Sequence, residues 1–285
     1  MRNLFAIGML FTSFLTFSQE TNLQSYTPSI LFDKGDWEFK SFQNLYTQTK
    51  SFDADGDRVK NASGRQTWFT SINQFLYGLN SKVNIGADVW VKNVNYKLSN
   101  ESRTDIVGFG PKIKIAPFNK LKRLSIQSTL LFPLANDLED RKNDGVPFLE
   151  TDATIWLNQL FLDVPLNDKS QLFFQQAFWY RFVRESFAEN NFLQSQTSTF
   201  YSYFATDRLT LYGMTEYFPT HYNSSFGVQK GEAFYSYFIQ SGIGTKYQLI
   251  PNLIELEFLY TNFWAGSEGQ GAGETFNLGI RVIRQ

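Results

Sequence analysis

The sequence contains no cysteine and a single histidine among its 285 residues. The lack of cysteine excludes disulfides, thiolate metal sites, cysteine nucleophiles and a lipid-modified cysteine after a leader peptide. An excess of one charge is also missing, because 26 basic residues balance 27 acidic ones and leave a net charge of −1. Such a chain has no overall attraction to polyanions, so no nucleic-acid partner is predicted.

Long hydrophobic runs are missing as well. The longest, residues 4–17, follows Arg2 and contains Ser and Thr, and it is shorter than the ~20 residues that a membrane-spanning helix needs. Thr16 and Ser18 place small side chains at the positions required for cleavage before Gln19. These features predict a secretory signal peptide over residues 1–18 and a mature domain over residues 19–285.

Aromatic residues, in contrast, are abundant. They make up 18% of the chain, with 30 Phe, 14 Tyr and 6 Trp. Aromatic side chains fit the pleated surface of a strand, and membrane proteins enrich them where the chain meets the bilayer surface. The composition therefore favours an all-β protein at a membrane.

Hydrophobic residues recur with a period of two, the pattern of strands with one apolar and one polar face. In SKVNIGADVWVKNV (residues 81–94), Val83 and Ile85 alternate with Lys82 and Asp88. Twelve such segments are predicted, at residues 36–47, 66–77, 81–96, 105–117, 124–132, 151–163, 171–183, 193–205, 209–220, 233–247, 252–263 and 274–283. Most exceed the ~5–6 residues of an average soluble strand and suit a tilted strand that crosses a bilayer in ~9–11 residues.

The breaks between these segments alternate in length. The short ones are 78–81, 118–123, 164–170, 206–208 and 249–252, and the long ones are 50–65, 97–104, 133–150, 184–192, 221–232 and 264–274. In an up-and-down meander, this order puts every short turn at one end and every long polar loop at the other. A closed sheet also leaves no unpaired edge, as a bilayer requires.

The predicted fold is therefore all-β, a single closed antiparallel up-and-down transmembrane β-barrel of about twelve strands, with short periplasmic turns and long extracellular loops. The alternative is a soluble barrel or a sandwich, in which the apolar face would be covered instead. On the membrane interpretation, Gln159 and Gln176 fall on the parity that faces lipid.

The leader ending in TFSQ, the twelve alternating segments and the amphipathic end FNLGIRVIRQ resemble Gram-negative outer-membrane β-barrels of a porin-like, largely uncharacterised kind. The resemblance implies export to the cell outer membrane, contact with outer-membrane lipid, and passage of small polar solutes. The chain ends in Gln285, whereas such barrels often end in an aromatic residue.

The charged parity of the strands is predicted to line the lumen, which in a twelve-stranded barrel is wider than one filled by its own side chains. The predicted pore-lining residues are Lys82, Asp88, Lys92, Lys112, Lys114, Asp152, Arg181, Glu216, Lys246, Glu255, Glu257 and Arg281. Basic residues outnumber acidic ones, which would favour anions. Alternatively, the two signs pair across neighbouring strands and brace the wall. Glu255 and Glu257 either recruit a cation or are offset by Lys246 and Arg281.

Three further motifs suggest chemistry that their details do not support. DADGD at residues 53–57 begins like a calcium loop but lacks the later Gly and bidentate Glu, so no metal is predicted. The glycines of GSEGQGAG at residues 266–273 lack the Lys-Ser/Thr of a phosphate loop, and no cofactor is predicted. Ser224 follows His221 by three residues, which on a strand puts the two on opposite faces.

Three functions remain open at this point. A channel for small polar solutes predicts ion conductance that depends on Lys112, Lys114 and Arg181. A non-conducting barrel with a structural, adhesion or secretion-accessory role predicts a filled lumen and a protein partner. An outer-membrane acyl hydrolase predicts lipid turnover that requires His221. The residues favour the first two functions, and we expect no enzyme.

Overall fold

The computed structural model describes residues 28–62, 64–97, 100–118, 120–121, 123–134, 149, 153–184, 191–222 and 234–284. The predicted signal peptide and Asp152 lie outside these residues. Within them, no helix is long and apolar enough to cross a membrane.

The described chain is built almost entirely from strands. The barrel strands are β1 (Trp37–Gln48), β4 (Gln66–Asn80), β5 (Val83–Tyr96), β6 (Glu101–Ile115), β7 (Leu124–Leu131), β8 (Ala153–Asn167), β9 (Ser170–Val183), β10 (Phe192–Phe204), β11 (Leu209–Tyr222), β12 (Phe234–Ile250), β13 (Ile254–Gly266) and β14 (Glu274–Arg284). Two short strands, β2 (Lys50–Phe52) and β3 (Arg58–Lys60), form a separate hairpin. All twelve predicted segments are therefore barrel strands.

The sheet closes by pairing its first and last strands antiparallel, from Trp37 opposite Arg284 to Thr47 opposite Glu274. The remaining strands pair in sequence order, so the predicted closed up-and-down topology is confirmed. One end of the barrel, the short-turn end, carries the start of β1, the end of β14 and the connections at 81–82, 116–123, 168–169, 205–208 and 251–253. The opposite end is the long-loop end.

The two faces of the barrel wall differ in chemistry. Ile243 is 72% exposed and Leu278 is 58% exposed, and both lie on the outward parity of their strands. On the inward parity, polar residues such as Asp88 and Thr261 are each only 1% exposed. A soluble barrel would bury its apolar face and expose its polar one. The closed sheet with an apolar exterior contradicts both the soluble barrel and the sandwich.

The parity predicted for β8 is wrong. Ile155 and Leu157 are buried on the lumen side, so Gln159, which was predicted to face lipid, shares their inward face. There the Nε2 of Gln127 donates to the Oε1 of Gln159 at 2.8 Å. Because β8 carries apolar residues on both parities, its sequence does not reveal which face points outward. Gln176 does point outward, where it accepts a hydrogen bond from a threonine of β10.

Two local features also depart from the pattern. A bulge where β5 pairs with β6 shifts the alternation. Ile106 is therefore exposed on the outer face, where strict alternation from Phe109 would place Val107. The break predicted as a long loop at 97–104 is shorter in the structure, because β5 ends at Tyr96 and β6 begins at Glu101. Asn100, just before β6, has a φ of 54°. At the short-turn end, the connection at 116–123 is the longer exception. Loop length is thus sorted by barrel end, with one exception at each end.

Candidate solute pathway in the barrel lumen

The structure places most of the predicted pore-lining residues on the inner face. The residues on this face are Asp88, Lys92, Lys112, Lys114, Arg181, Glu216, Lys246, Glu255, Glu257 and Arg281, all buried or half-buried. Lys82 lies in the exposed turn before β5 instead, and Asp152 is outside the described residues. That the inner set lines a conducting path stays a prediction.

Opposite charges meet across neighbouring strands in the short-turn half of the lumen. The Nζ of Lys112 on β6 lies 2.5 Å from the Oδ1 of Asp88 on β5, and both side chains are only 1% exposed. The Nη2 of Arg281 lies 2.8 Å from the Oε1 of Glu255. Charges this deeply buried require a partner, because the surrounding protein solvates a lone charge poorly.

Two further ion pairs lie in this half. The Nζ of Lys246 lies 3.8 Å from the Oε2 of Glu257, whose Oε1 accepts a hydrogen bond of 2.6 Å from the hydroxyl of Tyr212. Lys40 and Glu38 pair at 2.9 Å on β1, a pair that the sequence reasoning missed. Lys246 and Arg281 thus offset the two glutamates of β13, as the alternative prediction held.

The segment ahead of β1, residues 28–36, lies inside the short-turn end. The backbone N–H of Phe32 donates to the Oδ1 of Asn84 at 2.9 Å, and the Nδ2 of Asn84 donates back to the carbonyl oxygen of Phe32 at 3.0 Å. The ring of Phe32 is 2% exposed and packs with Leu76 and Ile283. Lumen-facing residues of β4, β5 and β14 therefore hold this segment.

Other strands hold the same segment from different sides. The Nζ of Lys114 donates to the carbonyl oxygen of Ile30, and the hydroxyl of Ser29 donates to a carboxylate oxygen of Asp163. Gly78 allows the close approach, since a Cβ there would lie 2.0 Å from the carbonyl oxygen of the residue at position 33. The segment narrows this end of the lumen and engages a predicted pore-lining lysine.

Glu216 stands in the middle of β11 and is only 6% exposed. Its Oε2 accepts hydrogen bonds from Gln196 Nε2 at 2.5 Å and from Ser198 Oγ at 2.9 Å. Its Oε1 accepts one from Gln240 Nε2 at 2.7 Å. Neutral donors therefore hold this carboxylate in the described lumen, in contrast to the ion-paired carboxylates nearer the short turns.

Aromatic side chains line the long-loop half of the lumen. Successive ring centroids lie 4.7–6.5 Å apart through a series that we term the lumen aromatic belt: Tyr96, Trp68, Tyr46, Phe263, Phe238, Phe218, Trp179 and Trp90. The belt starts and ends on β5 and passes through β4, β1, β13, β12, β11 and β9. Contacts at these distances are typical of favourable aromatic pairs.

Trp90 and Trp179 bring the belt across the lumen. Their ring centroids are 5.6 Å apart with the planes at 65°, although three strands separate β5 from β9 in the wall. Sequence reasoning assigned the abundant aromatics to the membrane boundary and missed the belt. The available signal was parity, because Trp90 alternates in phase with Asp88 and Lys92.

A hairpin covers part of the long-loop end beside the belt. The N–H of Phe52 donates to the carbonyl oxygen of Gln270 at 2.8 Å, and Gly269 N–H donates to that of Phe52 at 2.8 Å. Phe52 is 1% exposed and packs on Phe263 and Ala272. The glycine series at residues 266–273, in the loop between β13 and β14, is thus hydrogen-bonded to the β2–β3 hairpin, which follows β1. These contacts cross the seam where β1 pairs with β14.

Where the structure describes them, the remaining motifs show no assembled chemistry. The Oδ1 of Asp53 accepts hydrogen bonds from the N–H groups of Asp55 and Asp57 at 3.1 and 2.8 Å, which shapes the tip of the β2–β3 hairpin. Within the described ranges, no three His, Asp or Glu side chains are grouped to hold a metal. His221 is exposed with its ring 5.3 Å from that of Tyr235, and position 224 lies outside the described residues.

A closed antiparallel ring of strands, apolar outside and polar or aromatic inside, defines the class as a β-barrel of the outer-membrane type. No protein-family model matches the sequence, and no curated protein matches it.

Among solved structures, the fold is similar to that of an outer-membrane channel from Pseudomonas putida F1, with a TM-score of 0.69 and 12% identity over 91% of this chain and 99% of that chain. The NanC porin gives a TM-score of 0.47 and 7% identity over 86% of this chain and 100% of that one. The KdgM porin gives a TM-score of 0.43 and 9% identity over 86% of this chain and 99% of that one. The first similarity supports the barrel fold.

Proposed function

We propose that this protein is a channel in the outer membrane of a Gram-negative cell, exported there by its signal peptide, through which small polar solutes cross. The observation that carries the proposal is the apolar outer surface. Each of the twelve barrel strands exposes at least one large apolar side chain by 37% or more: Phe39, Phe75, Ile85, Phe109, Ile126, Leu160, Phe174, Tyr201, Leu211, Ile243, Phe258 and Leu278. A continuous apolar band of this kind needs acyl chains as its solvent.

The polar inner face supports a path for polar solutes. Buried threonine, glutamine and ion-paired side chains line the short-turn half, and Glu216 adds a carboxylate at mid-height. Such groups can replace part of the hydration shell of a passing ion or solute. Residues 28–36 narrow the short-turn end of this path.

The same segment favours a second candidate function, a barrel that does not conduct and serves a structural or accessory role. Phe32 and Ser29 are nearly inaccessible, and hydrogen bonds to three different strands fix the segment. If the segment never leaves the lumen, passage through the short-turn end is restricted.

Conductance in planar bilayers separates the two functions. We expect wild-type protein to give small ion-current steps, and the double variant Phe32→Ala with Asn84→Ala to give steps severalfold larger, because it loses the ring and the amide that fix the segment. The matched control is Phe39→Ala with Asn73→Ala, which removes the same groups from the outer face and should keep wild-type conductance. The absence of steps from both wild type and the Phe32/Asn84 variant, in barrels that migrate as folded on unheated gels, would support the non-conducting function.

A further inference from the structure

The contact between Trp90 and Trp179 has apolar walls. Leu131, Ile155 and Leu157, together with an alanine of β9, form one buried cluster against which both indoles pack. A solute that passes between the indoles meets carbon on these sides. Hydroxyl groups of the solute would lose their hydrogen bonds to water there without replacement. The surroundings therefore favour a solute with an apolar ring face over a neutral sugar.

The two indoles also hide hydrogen-bond donors. The Nε1 atoms of Trp90 and Trp179 are buried, and neither has an acceptor among the described residues. Buried donors without acceptors are unfavourable, so the closed contact is not the best arrangement for either ring. A solute that parts the rings and presents an acceptor oxygen would satisfy these donors.

A basic residue lies one pleat beyond each indole toward the long-loop end. Lys92 follows Trp90 on β5, and Arg181 follows Trp179 on β9, in each case two residues on and on the same inward face. Two residues of strand span ~7 Å, which lets one ligand reach an indole with its ring and a cation with its charged group. The Cζ of Arg181 also lies 5.2 Å from the ring centroid of Phe192, so an aromatic surface supports the guanidinium.

We infer that this part of the lumen aromatic belt is a binding site for aromatic carboxylates. The ring of the ligand inserts between Trp90 and Trp179. Its carboxylate faces Lys92 and Arg181 and accepts hydrogen bonds from these cations and from the indole donors. The site deepens the proposed channel function by naming the substrate class, and it rests on that function. A solute entering from the long-loop end meets the basic residues first and the indoles next.

Equilibrium dialysis of the detergent-solubilised protein with labelled benzoate tests the site without requiring a current. We expect saturable binding of benzoate, and at least about tenfold weaker binding in Trp179→Leu, Trp90→Leu and Arg181→Gln. Trp179→Phe and Arg181→Lys should retain most of the affinity, because they keep a ring or a charge. Trp156→Leu is the matched control, since Trp156 is 43% exposed on the outer face.

Competing ligands sharpen the assignment. Acetate has the charge without the ring, benzyl alcohol has the ring without the charge, and glucose has a polar ring, so each should displace benzoate poorly. Equal benzoate binding by Trp179→Leu and Trp156→Leu would overturn the site, as would equal displacement by any of these three compounds. Benzoate binding without any conductance would instead reject the channel and keep the site. Conductance without benzoate binding would do the reverse.

Discussion

The two halves of the lumen differ in their dominant interactions, although the same strands build both. Rings also contact rings near the short turns, from Phe161 through Phe173 and Phe200 to Tyr212. In the short-turn half, charged side chains pair at distances such as 2.5 Å for Lys112 and Asp88, and a chain segment fills space between them. In the long-loop half, rings contact rings, and Phe218 stacks on Phe238 at 5.0 Å with the planes nearly parallel. The comparison shows that facing inward in this barrel does not mean being charged.

This difference implies different weak points. Removing one member of a buried ion pair leaves the other charge buried without a partner. The stability of the short-turn half should therefore be sensitive to the loss of a single charge. The described long-loop half holds fewer buried charges, Lys92 and Arg181 among them, and its stability should depend more on filled volume. Substitutions in each half can test this contrast through the free energy of unfolding.

The largest effect is expected for Lys112→Ala, which leaves the Asp88 carboxylate buried without its cation. The free energy of unfolding should fall by about 3–5 kcal/mol, measured by urea unfolding in lipid vesicles. The double variant Lys112→Met with Asp88→Leu should recover most of the loss, because neither charge is then left behind. A small effect of Lys112→Ala would mean that water reaches the pair and that buried ion pairs do not stabilise the short-turn half.

A smaller loss is expected in the other half for Leu157→Ala, which opens a cavity beside the two indoles. Leu157 is 3% exposed, and a buried Leu→Ala change lowers the free energy of unfolding by about 2–4 kcal/mol. The same titration measures it, with the exposed outer residue Leu160→Ala as the control of equal size. If both leucine variants lower the free energy of unfolding by the same amount, the lumen side is not more closely packed than the outer face.

The smallest effect is expected for Lys246→Gln. Its ammonium lies 3.8 Å from Glu257, and both side chains are 20% exposed, so water screens the pair and its contribution is at most about 1 kcal/mol. The same titration should show Lys246→Gln to be far milder than Lys112→Ala. A loss as large as that of Lys112→Ala would show that burial does not set the strength of these pairs.

The barrel was predictable from sequence because two faces of opposite chemistry impose a period of two over long strands. Strands such as β5 and β14 carry that period cleanly, so their faces were correct. The parity predicted for β8 was wrong because that strand is apolar on both sides, and β6 departs from strict alternation near Val107 because a bulge shifts the phase. The sequence of β8 alone does not reveal its facing, and that of β6 alone does not reveal its bulge. In both cases the residues that the lumen-side chains contact come from other strands.

The candidate site was less predictable than the fold. Charge patterns correctly indicated that residues such as Arg281 and Glu255 face inward. These two side chains pair because their strands are neighbours in the sheet. The Trp90–Trp179 contact joins strands that are not neighbours, and the segment around Phe32 enters the lumen from outside the strand pattern. Contacts across the lumen depend on closure and shear, which a single sequence does not specify.

Adjacent residues on opposite faces of β13 allow the most direct test. Phe258 is 44% exposed on the outside, and Leu259 is half-buried on the lumen side. Because the chain has no cysteine, Phe258→Cys and Leu259→Cys can each carry one small fluorophore in vesicles. Nitroxide-bearing acyl chains should quench the label at position 258 and spare the one at 259, while aqueous iodide should do the opposite. Reversed or equal quenching at the two positions would contradict a barrel whose apolar face meets lipid and whose polar face encloses water.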